Sequence, residues 1–189
     1  RYAKNGKDAY VGIKINSLTD KVIIEKLVEA SQVGVKIEMI VRGICCMIPG
    51  IKGYTENIKV ISIVGRFLEH SRIYAFGVGD DTEIYISSAD MMTRNTRRRV
   101  EVAAPIYDPR LKQRILKMIN VMKQDNIQAQ VLLSNGEYTT KKKREDNMNS
   151  QIHFLNEAKR LAPKEKTQKQ NLFYQVKGIF FGKKKLRKK

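Results

Sequence analysis

The chain has 189 residues, 42% of them hydrophobic, and a formal net charge of +18. This length suits one domain, with or without a tail, and supplies enough apolar residues for a hydrophobic core. The sequence contains no apolar run near the roughly 18–20 residues that span a bilayer, and residues 1–6 do not form a secretion signal, which predicts a cytoplasmic protein.

Three segments are expected along the chain. Residues 1–7 are typical of the last turn of a preceding helix that stops at Gly6. Residues 8–137 carry strand and helix patterns and form the predicted domain. Residues 138–189 are expected to be a basic, largely flexible tail with a helix over 151–161; the stretch 141–189 alone holds 16 Lys and Arg against 4 Asp and Glu.

The first elements predict a βαβ unit. A strand over residues 10–15 is followed by a helix, for which Ser17 or Thr19 is the candidate N-cap and Gly34 the end. Residues 35–41 form the next predicted strand. A strand, a helix and a strand in this order predict two parallel strands in one sheet.

The later elements continue an α/β pattern. A strand is predicted over 58–64, a hairpin over 70–76 and 83–87, and a further strand over 100–107. Asp108 and Pro109 then begin a helix. Its predicted buried face is formed by Leu111, Ile115, Ile119 and Met122.

Arg42 and His70 are the first candidate site residues. Arg42 directly follows a predicted strand, where α/β sheets bind ligands, although an ordinary surface arginine is the alternative interpretation. His70 is two residues before Arg72, so both would lie on one strand face. An imidazole beside a guanidinium supplies a proton-transfer or nucleophilic group and donors for phosphate oxygens; a structural histidine is the alternative.

Polar residues after the hairpin extend this candidate site. Ser88 and Asn95 could orient a phosphate, and Asp90 could orient the imidazole or cap a short helix. Arg94 and Arg99 belong to an arginine-rich segment that could be a solvated loop. Because Arg99 precedes an apolar predicted strand, we expect it to be held near the sheet, where its planar fork could bind phosphate. The sequence has no phosphate loop with a GKS or GKT motif.

Three long motifs, at residues 40–50, 62–74 and 87–95, closely resemble the C-terminal part of bacterial polyphosphate kinases of the histidine-phosphorylating type. The resemblance runs in unbroken order from about Tyr10 to Leu133. It implies a phospholipase D-like α/β fold, a mixed sheet flanked by helices that forms one half of a two-half catalytic core.

The resemblance also implies a reaction: reversible transfer of the terminal phosphoryl group of ATP to polyphosphate, with Mg²⁺, through a phosphohistidine. The phosphorylated histidine belongs to the first half of the core, which we expect to lie outside this sequence, together with the Mg²⁺ ligands. The implied partners are ATP or ADP, polyphosphate, the rest of the kinase chain and further copies in a homo-oligomer, with no specific nucleic acid. We expect the isolated fragment to be inactive.

Carried onto this sequence, the resemblance makes Arg42 the nucleotide-phosphate arginine, His70 the histidine facing the phosphohistidine, and Arg99 the arginine near the transferred group. Arg72 stands where phospholipase D enzymes have the lysine of their HxK motif, and Ser88 with Asp90 falls near their downstream Ser and Asn. The expected catalytic residues are His70, Arg72 and Arg99. The expected ATP or phosphate ligands are Arg42, His70, Arg94, Ser88 and Asn95. Asp90 is expected to orient these side chains, and no metal ligand is expected.

Two other functions fit parts of the sequence. A basic chain of this size could bind nucleic acid or another polyanion, although its aromatic residues are not interleaved with its basic ones. A phospholipase D-like phosphodiesterase half is the second alternative, against which the arginine at position 72 counts. The basic run over 183–189 could also attach the protein to the surface of the inner membrane.

Overall fold

The computed structural model describes residues 9–141 and 146–162 of the chain. The described residues up to His153 belong to one compact unit, and those from Phe154 belong to a second. The helix end predicted over 1–7 lies outside the described residues, as do residues 142–145 and 163–189 of the predicted basic tail.

In the described part of the chain, eight strands form one mixed sheet with the order β6-β5-β4-β1-β2-β3-β7-β8. The strands are β1 (Tyr10–Ile15), β2 (Lys36–Val41), β3 (Ile58–Ile63), β4 (Arg72–Phe76), β5 (Glu83–Ser87), β6 (Ala103–Ile106), β7 (Ala129–Leu132) and β8 (Tyr138–Thr140). The helices are α1 (Lys21–Gln32), α2 (Thr93–Arg97), α3 (Pro109–Gln124) and α4 (Ser150–Leu161). The predicted α/β class with a mixed sheet is confirmed.

The predicted βαβ unit is present, with β1 and β2 parallel and Ile13 opposite Met39. The N-cap of α1 is Asp20, whose carboxylate accepts from the backbone N–H of Ile23 at 3.1 Å, so the prediction of Ser17 or Thr19 was wrong. The backbone of the preceding residues is bound elsewhere, because Leu18 and Thr19 donate to the carbonyls of Ile44 and Met91. These bonds delay the start of the helix.

Hydrophobic side chains lie on both faces of the sheet. One face carries Ile13, Ile15, Ile37, Met39, Val41 and Val60, which form a buried cluster with Leu27 of α1. Strand alternation turns Ile40, Ile73 and Ile84 to the other face. On that side Ile73 lines a cavity together with Ile115 and Met118 of α3. Leu111, predicted on the buried face of α3, is half-exposed instead, and Val121 is buried.

The predicted hairpin is formed by β4 and β5, with Arg72 opposite Ser87. It begins two residues later than expected. The carbonyls of Glu69 and Ser71 accept hydrogen bonds from the Nζ of Lys14, at 3.2 and 3.1 Å. His70 therefore lies in an exposed loop directly before the strand, and not on it.

Strand β6 is shorter than the predicted strand over 100–107. Ser87, the last residue of β5, pairs with Ala103, and the ladder stops there. Val100 is 99% exposed and cannot anchor its neighbours to the sheet. The predicted start of this strand at residue 100 was wrong, and Arg99 lies in the exposed segment that precedes β6.

Strands β7 and β8 were not predicted. They pair with each other, and β7 pairs with β3, so the sheet continues through Thr140, beyond the predicted domain limit at residue 137. Helix α4 occupies the region in which a helix over 151–161 was expected. None of the helices in residues 9–141 and 146–162 is long and apolar enough to cross a bilayer.

Candidate functional site

Polar side chains gather at one edge of the sheet, where β1 and β2 end and β4 begins. Since β1 and β2 are parallel, the residues that follow them, Asn16 and Arg42, emerge at the same edge. Strand β4 runs antiparallel to β1, so its first residue, Arg72, lies there too. The fold thereby brings together two arginines that the sequence analysis singled out and an asparagine that it missed.

Asp90 is the centre of this group. Its buried carboxylate accepts from the Nη2 of Arg72 at 2.8 Å, from the backbone N–H of Asn16 at 2.7 Å and from the Nδ2 of Asn16 at 3.2 Å. Burial raises the pKa of Asp90, but the hydrogen bonds from Arg72 and Asn16 outweigh it and hold the pKa below its usual value. Asp90 does not cap α2, whose N-cap is Met92.

Asn16 connects this carboxylate to the second arginine. Its side-chain oxygen Oδ1 accepts from the Nε and Nη2 of Arg42, at 3.1 and 2.8 Å. One amide therefore binds Arg42 with its oxygen and Asp90 with its nitrogen. Polar contacts join five residues in series: Arg42, Asn16, Asp90, Arg72 and His70.

His70 ends this series at the surface. The Nη1 of Arg72 donates to the His70 carbonyl at 3.2 Å, and its Nη2 lies 3.3 Å from the Nε2 of the imidazole. A guanidinium can only donate, so a hydrogen bond in this contact would have Nε2 as its acceptor. Arg72 thus binds both the backbone and the ring of His70.

Lys14 holds the loop that contains His70 through two hydrogen bonds. Its side chain is buried, and its Nζ binds the carbonyls on either side of His70 and lies 3.8 Å from the Glu69 carboxylate. Burial lowers the pKa of Lys14; Glu69 opposes this shift, and the nearby Arg42 and Arg72 charges add to it. Lys14 thus places a buried amino group beside the two site arginines.

Ser88 and Asn95 belong to a neighbouring cluster around Glu101. The Ser88 hydroxyl donates to one oxygen of this carboxylate, and the Nδ2 of Asn95 donates to the other at 2.5 Å. These bonds lower the pKa of Glu101. The Ser88 hydroxyl also accepts from the backbone N–H of Val102, at 3.0 Å.

Two of the predicted arginines lie on the surface. Arg94 is exposed on the short helix α2, and Arg99 is exposed in the segment that follows this helix. Their guanidinium groups are accessible to an anion. The structure does not draw them into the series that joins Arg42 to His70.

Asn16, Lys14 and Glu101 are the residues of this region that the sequence analysis missed. One signal was available for Asn16, because it follows β1 as Arg42 follows β2. Lys14 is a charged residue within an otherwise apolar strand, which is unusual for a buried position. No local pattern distinguishes Glu101.

The described residues contain no group of three or more His, Cys, Asp or Glu side chains that could hold a metal ion. Three carboxylates of this region already have partners. Arg72 and Asn16 bind Asp90, Ser88 and Asn95 bind Glu101, and Glu69 lies 3.8 Å from the Nζ of Lys14. The residues that the structure describes therefore do not form a metal centre.

Comparison with known proteins identifies the domain. The family model described as polyphosphate kinase C-terminal domain 2 matches residues 1–151. A polyphosphate kinase of Staphylococcus epidermidis is 50% identical over 154 residues, which are 82% of this chain and 21% of that protein. One from Vibrio parahaemolyticus is 53% identical over 130 residues, or 69% of this chain and 19% of that protein. The chain thus spans about a fifth of the length of these relatives.

Solved structures agree with this assignment. The crystal structure of a polyphosphate kinase from Porphyromonas gingivalis superposes with a TM-score of 0.78 at 39% identity, covering 82% of this chain and 24% of that one. Nuc, a phospholipase D family member from Salmonella typhimurium, superposes with a TM-score of 0.50 at 16% identity, covering 66% of this chain and 82% of that one. The second likeness shows the fold alone, and it confirms the predicted phospholipase D-like architecture. On the family model, the relatives and the first of these structures together, the chain belongs to the polyphosphate kinase C-terminal domain 2 family.

Proposed function

We propose that this domain forms one half of an active site that reversibly transfers the terminal phosphoryl group of ATP to polyphosphate. The observation that carries the proposal is the series of contacts from Arg42 through Asn16, Asp90 and Arg72 to His70. These contacts hold the guanidinium of Arg42 and the imidazole of His70 at the same edge of the sheet. Phosphoryl transfer depends on such positioning and on charge stabilisation.

Arg42 is the proposed ligand of the nucleotide phosphates. Its Nε and Nη2 donate to Asn16, so Nη1 is the nitrogen that we assign to a phosphate oxygen. A guanidinium fixed on one side presents its other side without losing further side-chain entropy on binding. Arg42 would thereby orient the phosphates of ATP for attack.

His70 is proposed to face a histidine contributed by another part of the protein. That second histidine attacks the γ-phosphorus with its ring lone pair, the bond between the γ-phosphorus and the bridging oxygen breaks, and ADP leaves with the bond electrons. A terminal oxygen of polyphosphate then displaces the histidine. His70 contacts the phosphoryl group or serves as acid or base in these steps.

The remaining residues have supporting roles in this proposal. Arg72 and Asp90 orient His70. The exposed Arg99 contacts the transferred phosphoryl group, and the exposed Arg94 binds a phosphate of ATP or polyphosphate. Ser88 and Asn95 both donate to Glu101, so phosphate binding by either one requires it to exchange this carboxylate for a phosphate oxygen. These assignments extend the residue roles that the family resemblance implies.

The domain is proposed to act with several partners. They are ATP or ADP, polyphosphate, the rest of the kinase chain with its Mg²⁺ ligands, and further copies of the protein, in the cytoplasm. The basic run over 183–189 that suggested contact with a membrane surface lies outside the described residues.

The first test compares the isolated chain with a full-length polyphosphate kinase that carries it as its C-terminal domain. We expect ATP-dependent polyphosphate synthesis by the full protein and none by the isolated chain, because the attacking histidine is supplied from elsewhere. Circular dichroism checks that the isolated chain is folded. Turnover by the folded isolated chain, or a full-length protein without kinase activity, would overturn the proposal.

A further inference from the structure

We infer that Asn16 is a positioning residue that fixes Arg42 relative to Asp90, and thereby relative to His70. The inference rests on the proposed function, because it assigns Asn16 a part in binding ATP. The amide of Asn16 is not an acid, a base or a nucleophile for phosphoryl transfer. Asn16 acts entirely through the groups that it holds.

The contacts of Asn16 leave its side chain one orientation. Its Oδ1 receives two hydrogen bonds from Arg42, and its Nδ2 donates to the carboxylate of Asp90 at 3.2 and 3.3 Å. A guanidinium only donates and a carboxylate only accepts, so a flipped amide would lose every one of these bonds. The neighbours themselves therefore determine which end of the amide faces Arg42.

An amide is also the one small side-chain group that meets both demands. A carboxylate at position 16 would face Asp90 with a second negative charge. An aliphatic residue would remove the Oδ1 that Arg42 binds and would leave Asp90 only its bonds from Arg72 and from the backbone. The nearest charged groups are Arg42 on one side and Asp90 with Arg72 on the other. The neutral amide of Asn16 lies between Arg42 and Asp90 and joins them with charge-assisted hydrogen bonds.

The backbone of Asn16 is also held by two hydrogen bonds. Its N–H donates to Asp90 at 2.7 Å, and its carbonyl accepts from the N–H of Gly43 at 2.6 Å. A Cβ on Gly43 would come within 3.0 Å of that carbonyl oxygen, so glycine permits this close approach. Because Asn16 is 7% exposed, water has little access to replace its partners.

The test is a double-mutant cycle in the full-length kinase, with Asn16→Ala, Arg42→Ala and the double variant. We expect Asn16→Ala to raise KM for ATP about tenfold, because a misplaced Arg42 no longer meets the phosphates. In the Arg42→Ala background the same change should alter KM by less than about twofold, since Asn16 acts through Arg42. Equal effects in both backgrounds, or no effect of Asn16→Ala on KM, would overturn the inference.

A matched control is Asn126→Ala. Asn126 is 6% exposed and hydrogen-bonded to the backbone of Asp146 and Met148, so its loss tests the general cost of removing a buried amide. We expect KM for ATP to stay within about twofold of the wild-type value in this variant. A rise equal to that of Asn16→Ala would show that any buried amide has the same effect, and would also overturn the inference.

If Asn16→Ala does not fold, the nearly isosteric Asn16→Asp replaces it. This variant turns a carboxylate oxygen toward Asp90, and we expect kcat/KM for ATP to fall at least about tenfold. A value within about twofold of wild type would contradict the inference. If Arg42→Ala has no effect on KM for ATP, the proposed role of Arg42 is refuted. If Arg42→Ala raises KM but Asn16→Ala does not, only the role of Asn16 is refuted.

Discussion

Two buried carboxylates, Asp90 and Asp125, show how similar side chains serve different purposes in this fold. Both are almost completely buried, and hydrogen bonds hold the pKa of each below its usual value against the opposing effect of burial. By burial and pKa alone the two cannot be distinguished. Their partners distinguish them.

Asp125 binds uncharged groups that hold elements together. It accepts from the backbone N–H groups of Ile127, Gln128 and Ala129, and from the N–H and hydroxyl of Ser150. It therefore links the end of α3 to the starts of β7 and α4. Asp90 instead binds the side chains of Arg72 and Asn16. A buried carboxylate indicates a functional site here only when its partners are other functional side chains.

Asp90→Ala should have the larger effect. It leaves the guanidinium of Arg72, 12% exposed, without its counter-ion, which is expected to destabilise the domain by about 3 kcal/mol. Since Arg72 also holds His70, kcat of the full-length kinase should fall as well. Urea unfolding of the isolated domain and steady-state kinetics of the full protein measure the two effects; a variant that is less stable but has unchanged kcat would assign Asp90 the same purely structural role as Asp125.

Asp125→Asn should lower stability alone, by about 1–2 kcal/mol at pH 7, because an amide oxygen accepts more weakly than a carboxylate. The depressed pKa of Asp125 means that its stabilisation is present above the unfolded-state pKa of about 3.9 and is lost as the pH falls through the folded-state value. The difference in unfolding free energy between wild type and variant should therefore shrink below about pH 4. A difference that is constant from pH 7 to pH 3, or a loss of kcat, would remove the contrast with Asp90.

The sequence allowed the repeating parts of the fold to be predicted, but not the contacts between distant residues. Alternating β-branched residues predicted β1 with its observed limits, and the βαβ order predicted its parallel partner. Strand β8, in contrast, consists of three exposed residues, and its pairing with β7 gives no hydrophobic pattern. The strand that became β4 was predicted to begin at His70, two residues too early. The carbonyls of Glu69 and Ser71 bind Lys14, which is 55 and 57 residues away in the sequence and could not be foreseen as their partner.

The site was predicted in the same uneven way. Arg42, Arg72 and His70 could be found because each has a side chain suited to phosphate chemistry and lies at or next to the end of a strand. Asn16 also follows a strand, but its bond to Asp90, 74 residues away, could not be predicted from the sequence. Arg99 was placed near the sheet because its apolar neighbours were taken for strand residues, whereas Val100 is fully exposed.

The most direct test of the central claim is the kcat of His70→Ala in the full-length kinase, measured as ATP-dependent polyphosphate synthesis. The other histidine of the chain offers a matched control, His153→Ala, which should keep kcat within about twofold of the wild-type value. We predict that His70→Ala lowers kcat by a factor of about 10² or more, as expected for the loss of an acid or base group. An unchanged kcat would remove His70 from the site and contradict the proposed half-site.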